Sequence, residues 1–271
     1  CSSNLLIANG ICSQGYYFSI QPSHLVVEPL SRICYKQAMR NIKFTNGEFY
    51  HIYNRGNNKR PIFINPFYLK RFLQSMIEFN VEGPIGSIYA NSFKKDPQLS
   101  GSATKLAGRS MAKSGRIVDL VCYCLNFNHF HFLIRQVKKD GITKFMHKLG
   151  TGYTQYFNEK NKSSGGLFQG KFKAIHIDSN DYLLHLSAYI NLNNKTHQLS
   201  GSATKLHKSS WDEYVGNEPA ADQLCRKEII LSQFKNRLEY ENFASETLAN
   251  IRERKDMDKS LELLLSGSAA K

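Results

Sequence analysis

The sequence has no hydrophobic run long enough to cross a membrane, no Cys-x-x-Cys pair and no glycine-rich phosphate loop of the Walker type. These absences argue against a transmembrane helix, a structural zinc site and the use of ATP through such a loop. Cys122 and Cys124 fall in an apolar stretch, where we expect them to pack as free thiols. Free thiols favour a reducing, cytoplasmic compartment.

Acidic residues are scarce in the first three quarters of the chain. The whole sequence has 36 Lys and Arg against 22 Asp and Glu, a formal net charge of +14. Residues 1–206 hold 26 basic and 10 acidic residues, whereas residues 207–265 hold 9 and 12. This imbalance indicates that the first part binds a polyanion such as nucleic acid. The alternative is a solvated basic surface without a partner. An anionic membrane surface is disfavoured, because the chain has no basic amphipathic helix.

Regular patterning begins near Met39 and divides the 271 residues into three parts. Residues 1–38 are poorly patterned, and we interpret them as an N-terminal extension that translation from an upstream start would explain. Residues 39–216 form the main domain, and residues 217–271 a mostly helical tail. Loop insertions are expected near 82–116 and 198–206, because both are rich in small polar residues and the segment QLSGSATKL occurs in each.

The order of hydrophobic periodicities predicts an α+β domain. Strand patterns alternate with helix patterns that have an apolar face, and this order suggests an antiparallel sheet with helices covering one face. The predicted strands are EFYHIYNRG, VDLVCYCLN, HFHFLIRQ and KFKAIHI, and the predicted helices are PFYLKRFLQSMIEFN, GITKFMHKLGTGYTQYFNEKN and DYLLHLSAYINLN.

Two histidines interrupt the otherwise apolar strand LNFNHFHFLI. Side chains alternate between the faces of a strand, so His129 and His131 share one face while Phe130 points to the other, into a core. Two imidazoles side by side can hold one metal ion or one phosphate. The alternative is two ordinary histidines on a half-exposed strand.

The helix predicted from Asp181 to Asn193 offers further polar groups. Tyr189 and Asn193 are four residues apart, which would place them on one helical face about 5–6 Å apart at Cβ. Tyr189 would otherwise simply pack in the core. Tyr153 and Tyr156 are rival candidates for a tyrosine nucleophile, but both lie in a continuous apolar stripe and are better interpreted as core residues.

These motifs together resemble one known family. The segment CYCLNFNHFHFLI is similar to the His-hydrophobe-His motif of the HUH single-tyrosine transposases, and YINLN resembles their Tyr-x-x-x-Asn/Gln helix motif. The stretches GEFYHIYNRGNNKRPIF, YTQYFNEKNKSSGGLFQGKFKAI and SSWDEYVG resemble one branch, the REP-associated tyrosine transposases. The resemblance runs in order from about Met39 to Gly216.

The resemblance implies a fold, a metal site and a reaction. The fold would be the ferredoxin-like palm of HUH nucleases. His129, His131 and Asn193 would hold one Mg²⁺ or Mn²⁺ ion, and Tyr189 would cleave single-stranded or hairpin DNA through a 5′-phosphotyrosine intermediate. Such an enzyme would be cytoplasmic and associated with the nucleoid.

The resemblance also extends to DNA contacts, which we assign on the basic and aromatic residues of two matching segments. The expected contacts to the DNA backbone are Arg55, Lys59, Arg60, Lys171 and Lys173, and the expected base contacts are Phe168 and Gln169.

The sequence departs from the branch pattern at two places. Asn126 and Phe127 stand where the branch has Met-Pro before Asn-His, and Asn194 replaces the proline that follows the tyrosine helix. One rival function is a different HUH enzyme such as a replication initiator or relaxase, but the Tyr-x-x-x-Asn helix after the histidine strand argues against it. The other is a domesticated hairpin-DNA-binding protein that no longer cuts, which the presence of His129, His131, Tyr189 and Asn193 disfavours. A monomer and a homodimer are equally compatible with the sequence.

Overall fold

The computed structural model describes residues 42–86, 88, 115–196, 206–219 and 223–267, with side chains as far as residue 257. The predicted extension 1–38 and most of the predicted loop insertions near 82–116 and 198–206 lie outside these residues. Within the described part of the chain, no helix is long and apolar enough to cross a membrane.

The described residues form an antiparallel sheet and seven helices. The strands are β1 (Phe49–Arg55), β2 (Val118–Asn126), β3 (His129–Gln136), β4 (Lys173–Ile177) and β5 (Lys208–Ser209). The helices are α1 (Pro66–Glu78), α2 (Gly141–Asn161), α3 (Asn180–Asn191), α4 (Asn193–Thr196), α5 (Trp211–Val215), α6 (Glu228–Leu231) and α7 (Arg237–Gly267). The predicted α+β class is confirmed.

The strands lie in the order β4-β1-β3-β2-β5, so β3 is the centre of the sheet. Its neighbour β1 places Tyr53 opposite His131, and its other neighbour β2 places Cys124 opposite His131 and Asn126 opposite His129. Paired residues point to the same face of a sheet. Polar side chains from all three central strands are therefore neighbours on the face that carries the two histidines.

Helices α1 and α2 cover the opposite face, which is wholly apolar at its centre. The ring of Phe72 in α1 lies 5.6 Å from the ring of Phe130 and 4.8 Å from the ring of Tyr153 in α2. All three side chains are buried. Phe130 thus anchors β3 in this core, as its position between the two histidines predicted.

Helix α3 packs on the histidine face. Ser179 caps it by accepting a hydrogen bond from the Tyr182 N–H, and the Cys122 thiol of β2 contacts the Ser187 carbonyl at 3.9 Å. Helices α1 and α2 share one face as expected, whereas α3 lies on the other. This arrangement brings Tyr189 over the sheet at His131.

The predicted single helix through Asn193 ends two residues early. Leu192 has φ −106° and ψ 13°, outside the helical region, and Asn193 begins the short separate turn α4. The expectation that Tyr189 and Asn193 lie on one continuous helix is therefore wrong. The break lets Asn193 turn towards β2 while Tyr189 stays above β3.

The tail is helical, as predicted, and is joined to α3 by buried hydrogen bonds. The Tyr240 hydroxyl of α7 accepts a hydrogen bond from Asn191 Nδ2 at 2.9 Å and lies 3.1 Å from the Ser187 hydroxyl. The Ser210 hydroxyl donates to Asn191 Oδ1 at 2.6 Å. These four side chains are fully buried, so the network fixes the end of α3 near Tyr189.

We expect Tyr240→Phe to lower the free energy of unfolding by about 1–3 kcal/mol, because it leaves the buried Asn191 amide without its acceptor. The exposed Ser245→Ala on the same helix is the matched control and should change stability by less than about 0.5 kcal/mol. Urea denaturation of both variants measures the difference. Equal stability of Tyr240→Phe and the wild type would contradict this role of the network.

Candidate active site

The two histidines lie on one face of β3, as the alternation predicted. Their ring centroids are 5.3 Å apart and their planes are nearly perpendicular, at 88°. Both side chains are half-buried, whereas the intervening Phe130 is 2% exposed. Because the two rings are perpendicular, the nitrogen atoms of His129 and of His131 contact different neighbouring residues.

His129 belongs to a row of hydrogen bonds that leads to Asn193. Its Nδ1 lies 2.7 Å from Asn128 Oδ1, and a carbonyl oxygen can only accept, so Nδ1 carries the proton. Its Nε2 then carries the lone pair and accepts from Asn126 Nδ2 at 3.0 Å. The same Asn126 nitrogen donates to Asn193 Oδ1 at 2.8 Å. Two of the three predicted metal ligands are thus brought together.

His131 is held from the neighbouring strand by a third histidine. His51 Nε2 lies 2.9 Å from His131 Nδ1, and the two rings stack with centroids 5.2 Å apart. His51 is 1% exposed, and burial lowers its pKa to about 3, so the ring is neutral near pH 7. Tyr53, which lies on β1 with His51, also stacks its ring on His131, with ring centroids 5.7 Å apart.

Tyr189 is the tyrosine of α3 that faces the histidines. Its half-buried ring lies edge-on to His131, with centroids 5.8 Å apart at 78°. The rival Tyr153 is a core residue, as predicted, since its buried hydroxyl donates to the Ile62 carbonyl at 2.7 Å. Burial also raises the pKa of Tyr153. Tyr156 packs at the edge of the same core against the Arg71 guanidinium.

The donor atoms at this face suit one divalent cation. In the described part of the chain, no cluster of three or more His, Cys, Asp or Glu side chains could hold a metal. The predicted ligand set has only two such side chains, the imidazoles of His129 and His131, and its third member is the Asn193 carboxamide. The lone pairs of His129 Nε2 and Asn193 Oδ1 converge on one point, which the Asn126 amide nitrogen fills. Asn193 is fully buried and its Nδ2 has no hydrogen-bond partner. His129 and Asn193 therefore fit two ligands of one metal ion, and the His131 ring lies beside His129 on the same face.

Several of the expected DNA contacts lie together at the His129 end of the sheet. The turn after β1, the β2–β3 turn and the segment before β4 are joined through their backbones. The Gly56 N–H donates to the Asn128 carbonyl at 2.8 Å, and the Gln169 N–H donates to the Arg55 carbonyl at 2.8 Å. A Cβ atom at position 56 would overlap the Arg60 carbonyl oxygen, so this turn requires glycine. The exposed Arg55, Lys59 and Gln169 therefore surround one edge of the site.

The other expected contacts occupy different surroundings. Lys171 is exposed, and the Lys173 ammonium lies 5.9 Å from the Tyr53 ring on the histidine face. Phe168 packs edge-on against Phe130 at 5.8 Å, so one side of its ring belongs to the core. Arg60 lies over the Phe157 ring at 5.3 Å, which directs it to the α2 side of the sheet.

Sequence reasoning missed three residues of this site, His51, Tyr53 and Asn126. His51 and Tyr53 alternate with buried residues in β1, which marks them as sharing a face. That signal does not say which strand lies beside β1. The pairing of Tyr53 with His131 spans 78 positions of sequence and appears only once the register of the strands is known.

Comparison with known proteins agrees with the motifs. The family model of IS200-like transposases matches residues 107–193, a segment that contains His129, His131, Tyr189 and Asn193. Among solved structures, a REP-associated tyrosine transposase bound to a REP hairpin is similar to this chain, with a TM-score of 0.43 and 13% sequence identity over 70% of this chain and 92% of that chain. No curated protein matches the sequence. The match to the IS200-like transposase model thus falls on the segment that carries the two motifs of the resemblance to the single-tyrosine transposases.

Proposed function

We propose that this protein is a transposase that cuts and rejoins single DNA strands at or near palindromic hairpins, with Tyr189 as the nucleophile. The observation that carries the proposal is the approach of Tyr189 to His131 at 5.8 Å between ring centroids, beside the row that joins His129 to Asn193. One tyrosine, two imidazoles and one buried carboxamide thus share a single face.

His129, His131 and Asn193 would hold one Mg²⁺ or Mn²⁺ ion. His129 already presents Nε2, because Asn128 fixes its proton on Nδ1. His131 presents Nε2 when its Nδ1 donates to the neutral His51. Since all three ligands are uncharged, the scissile phosphate would balance the ion, as is usual for Mg²⁺ in phosphoryl transfer. When bound, the ion supplies polarisation of a non-bridging phosphate oxygen.

Tyr189 performs the covalent step. The Tyr189 hydroxyl releases its proton to water and its oxygen attacks phosphorus. The bond to the 3′ oxygen breaks and that oxygen takes up a proton from water, so the products are a 5′-phosphotyrosine and a free 3′-OH. The phosphotyrosine bond retains the energy of the broken phosphodiester. A second 3′-OH can therefore attack it and restore a DNA strand, and no nucleotide cofactor takes part.

The DNA would enter along the basic edge beside His129. Arg55 ends β1 and Lys59 lies on the turn after it. Lys171 precedes β4, and Lys173 begins it beside Tyr53 on the histidine face. Such contacts read backbone charge and shape rather than sequence. A palindrome folded into a hairpin supplies both a duplex for this edge and a single strand for Tyr189. Action on such DNA agrees with a cytoplasmic protein associated with the nucleoid.

Tyr189→Phe should abolish the covalent protein–DNA adduct and strand cleavage, because it removes the attacking oxygen while keeping the ring against His131. Tyr53→Phe is the matched control, since Tyr53 also stacks on His131 and is the nearest rival nucleophile. The measurement is a denaturing gel after incubation with Mn²⁺ and labelled hairpin DNA. An adduct that survives in Tyr189→Phe and disappears in Tyr53→Phe would refute the assignment. If the wild-type protein binds the hairpin DNA but does not cut it, the protein is instead the domesticated hairpin-DNA-binding protein.

His51→Phe should raise the Mn²⁺ concentration needed for half-maximal cleavage by about 10–100-fold, because the hydrogen bond that orients His131 is lost. The stacked ring is retained, so DNA binding should not change. His176→Phe on β4 is the control, since His176 is exposed and pairs with Glu48 on the other face of the sheet. An unchanged Mn²⁺ dependence in His51→Phe would show that His51 only fills space.

Arg55→Ala and Lys59→Ala should each weaken hairpin binding and reduce the slope of log K against log salt by about 0.9, as the loss of one phosphate contact requires. Lys139→Ala is the control, because the exposed Lys139 follows the opposite end of β3. Binding titrations at several salt concentrations give the slopes. Equal slopes in all three variants and the wild type would remove this edge from the DNA path.

A further inference from the structure

Asn126 occupies a position between two of the proposed metal ligands. It is the last residue of β2, pairs with His129 across the strands, and is 3% exposed. Its Nδ2 donates to His129 Nε2 and to Asn193 Oδ1, and its Oδ1 lies 3.7 Å from the Cys124 thiol. The Nδ2 donor of Asn126 therefore faces the proposed ligands, whereas its Oδ1 atom, the better metal ligand, points away from them.

An amide N–H cannot face a cation, because its hydrogen atoms carry positive partial charge. When a metal ion enters between His129 and Asn193, the Asn126 carboxamide must turn. A half-rotation about its last side-chain bond exchanges oxygen and nitrogen, two atoms of similar size, so the tight packing around Asn126 is kept. The oxygen then faces the ligands, and the nitrogen faces the Cys124 sulfur, a weak acceptor.

The positions of these atoms match a metal coordination shell. After the rotation, Asn126 Oδ1 would take the place of Nδ2, which lies 3.0 Å from His129 Nε2 and 2.8 Å from Asn193 Oδ1. In an octahedral Mg²⁺ shell with bonds of about 2.0–2.1 Å, adjacent ligand atoms are about 2.9 Å apart. Three atoms at these spacings can occupy neighbouring corners of one octahedron.

We infer that Asn126 is an additional metal ligand of this protein, which changes from a hydrogen-bond donor in the metal-free site to an oxygen ligand when the ion binds. The inference rests on the metal site proposed above and deepens it. With Asn126, the protein supplies two imidazole nitrogens and two carboxamide oxygens. The added oxygen shifts the preference of the site towards oxygen-seeking ions such as Mg²⁺ and Mn²⁺.

The test is the affinity of the full, DNA-free chain for Mn²⁺, measured from the electron paramagnetic resonance signal of the free ion. Asn126→Leu keeps the size of the side chain and removes the ligand atom, and should weaken Mn²⁺ binding by about tenfold or more. Asn126→Asp places a carboxylate oxygen at the same position and should tighten it by about tenfold, since affinity rises with ligand charge. Asn54→Leu, on β1 and on the opposite face of the sheet, is the control and should bind as the wild type does.

Two further variants separate the inference from the metal site itself. If His129→Ala and the wild type bind Mn²⁺ equally, the proposed metal site fails and the inference fails with it. If His129→Ala loses binding but Asn126→Leu binds as tightly as the wild type or tighter, the site stands and the role of Asn126 is overturned. Should Asn126→Leu not fold, Asn126→Asp decides alone, because unchanged or weaker binding in that variant contradicts a ligand at this position.

Discussion

The hydrogen-bond register of β1, β3 and β2 determines where every polar group that the sheet contributes to the site lies. It sets Tyr53 and Cys124 on either side of His131 and Asn126 beside His129. A slip of one residue between two strands would turn the side chains of the slipped strand to the other face. The buried aromatic core below Phe130 and Phe132 fixes this register, because those rings must face α1 and α2. Apolar packing on one face thus positions the polar chemistry on the other.

The site combines neutral ligands with a basic approach. The proposed ligands carry no formal charge, and burial keeps His51 neutral, while lysine and arginine side chains lie at the rim of the site. Such a site has little charge of its own to attract a cation from solution. The phosphate of a bound strand would complete the charge balance, so an ion that the DNA-free site already binds would be held more tightly in the presence of DNA. Cutting would then be confined to DNA that the basic edge has already bound.

Local sequence patterns predicted the elements well, because each carries its own periodicity and end signals. The alternation of His129, Phe130 and His131 predicted their faces correctly, and the helix pattern that begins at Pro66 predicted the start of α1. The end of α3 was not predicted, because it depends on a contact with a distant strand. Where the chain leaves the helix at Leu192, Asn193 can accept a hydrogen bond from Asn126 in β2. That contact joins residues 67 positions apart, and no local propensity encodes it.

The same limit explains the missed residues of the site. His51 was visible as a histidine in an apolar strand, but its role depends on which strand pairs with β1. Asn126 was noted only as a departure from the branch motif, and its contact with two proposed ligands follows from the β2–β3 register together with the turn at Leu192. A residue whose partners come from two other elements can be found only after those elements are placed.

The proposed reaction requires that Tyr189 become covalently joined to DNA. The most direct measurement is mass spectrometry of the protein after incubation with Mn²⁺ and hairpin DNA, followed by nuclease and protease digestion. We expect a nucleotide attached through its 5′ phosphate to the peptide that contains Tyr189, and to no other tyrosine. A nucleotide on Tyr53, or cleaved DNA with no modified tyrosine at all, would contradict it.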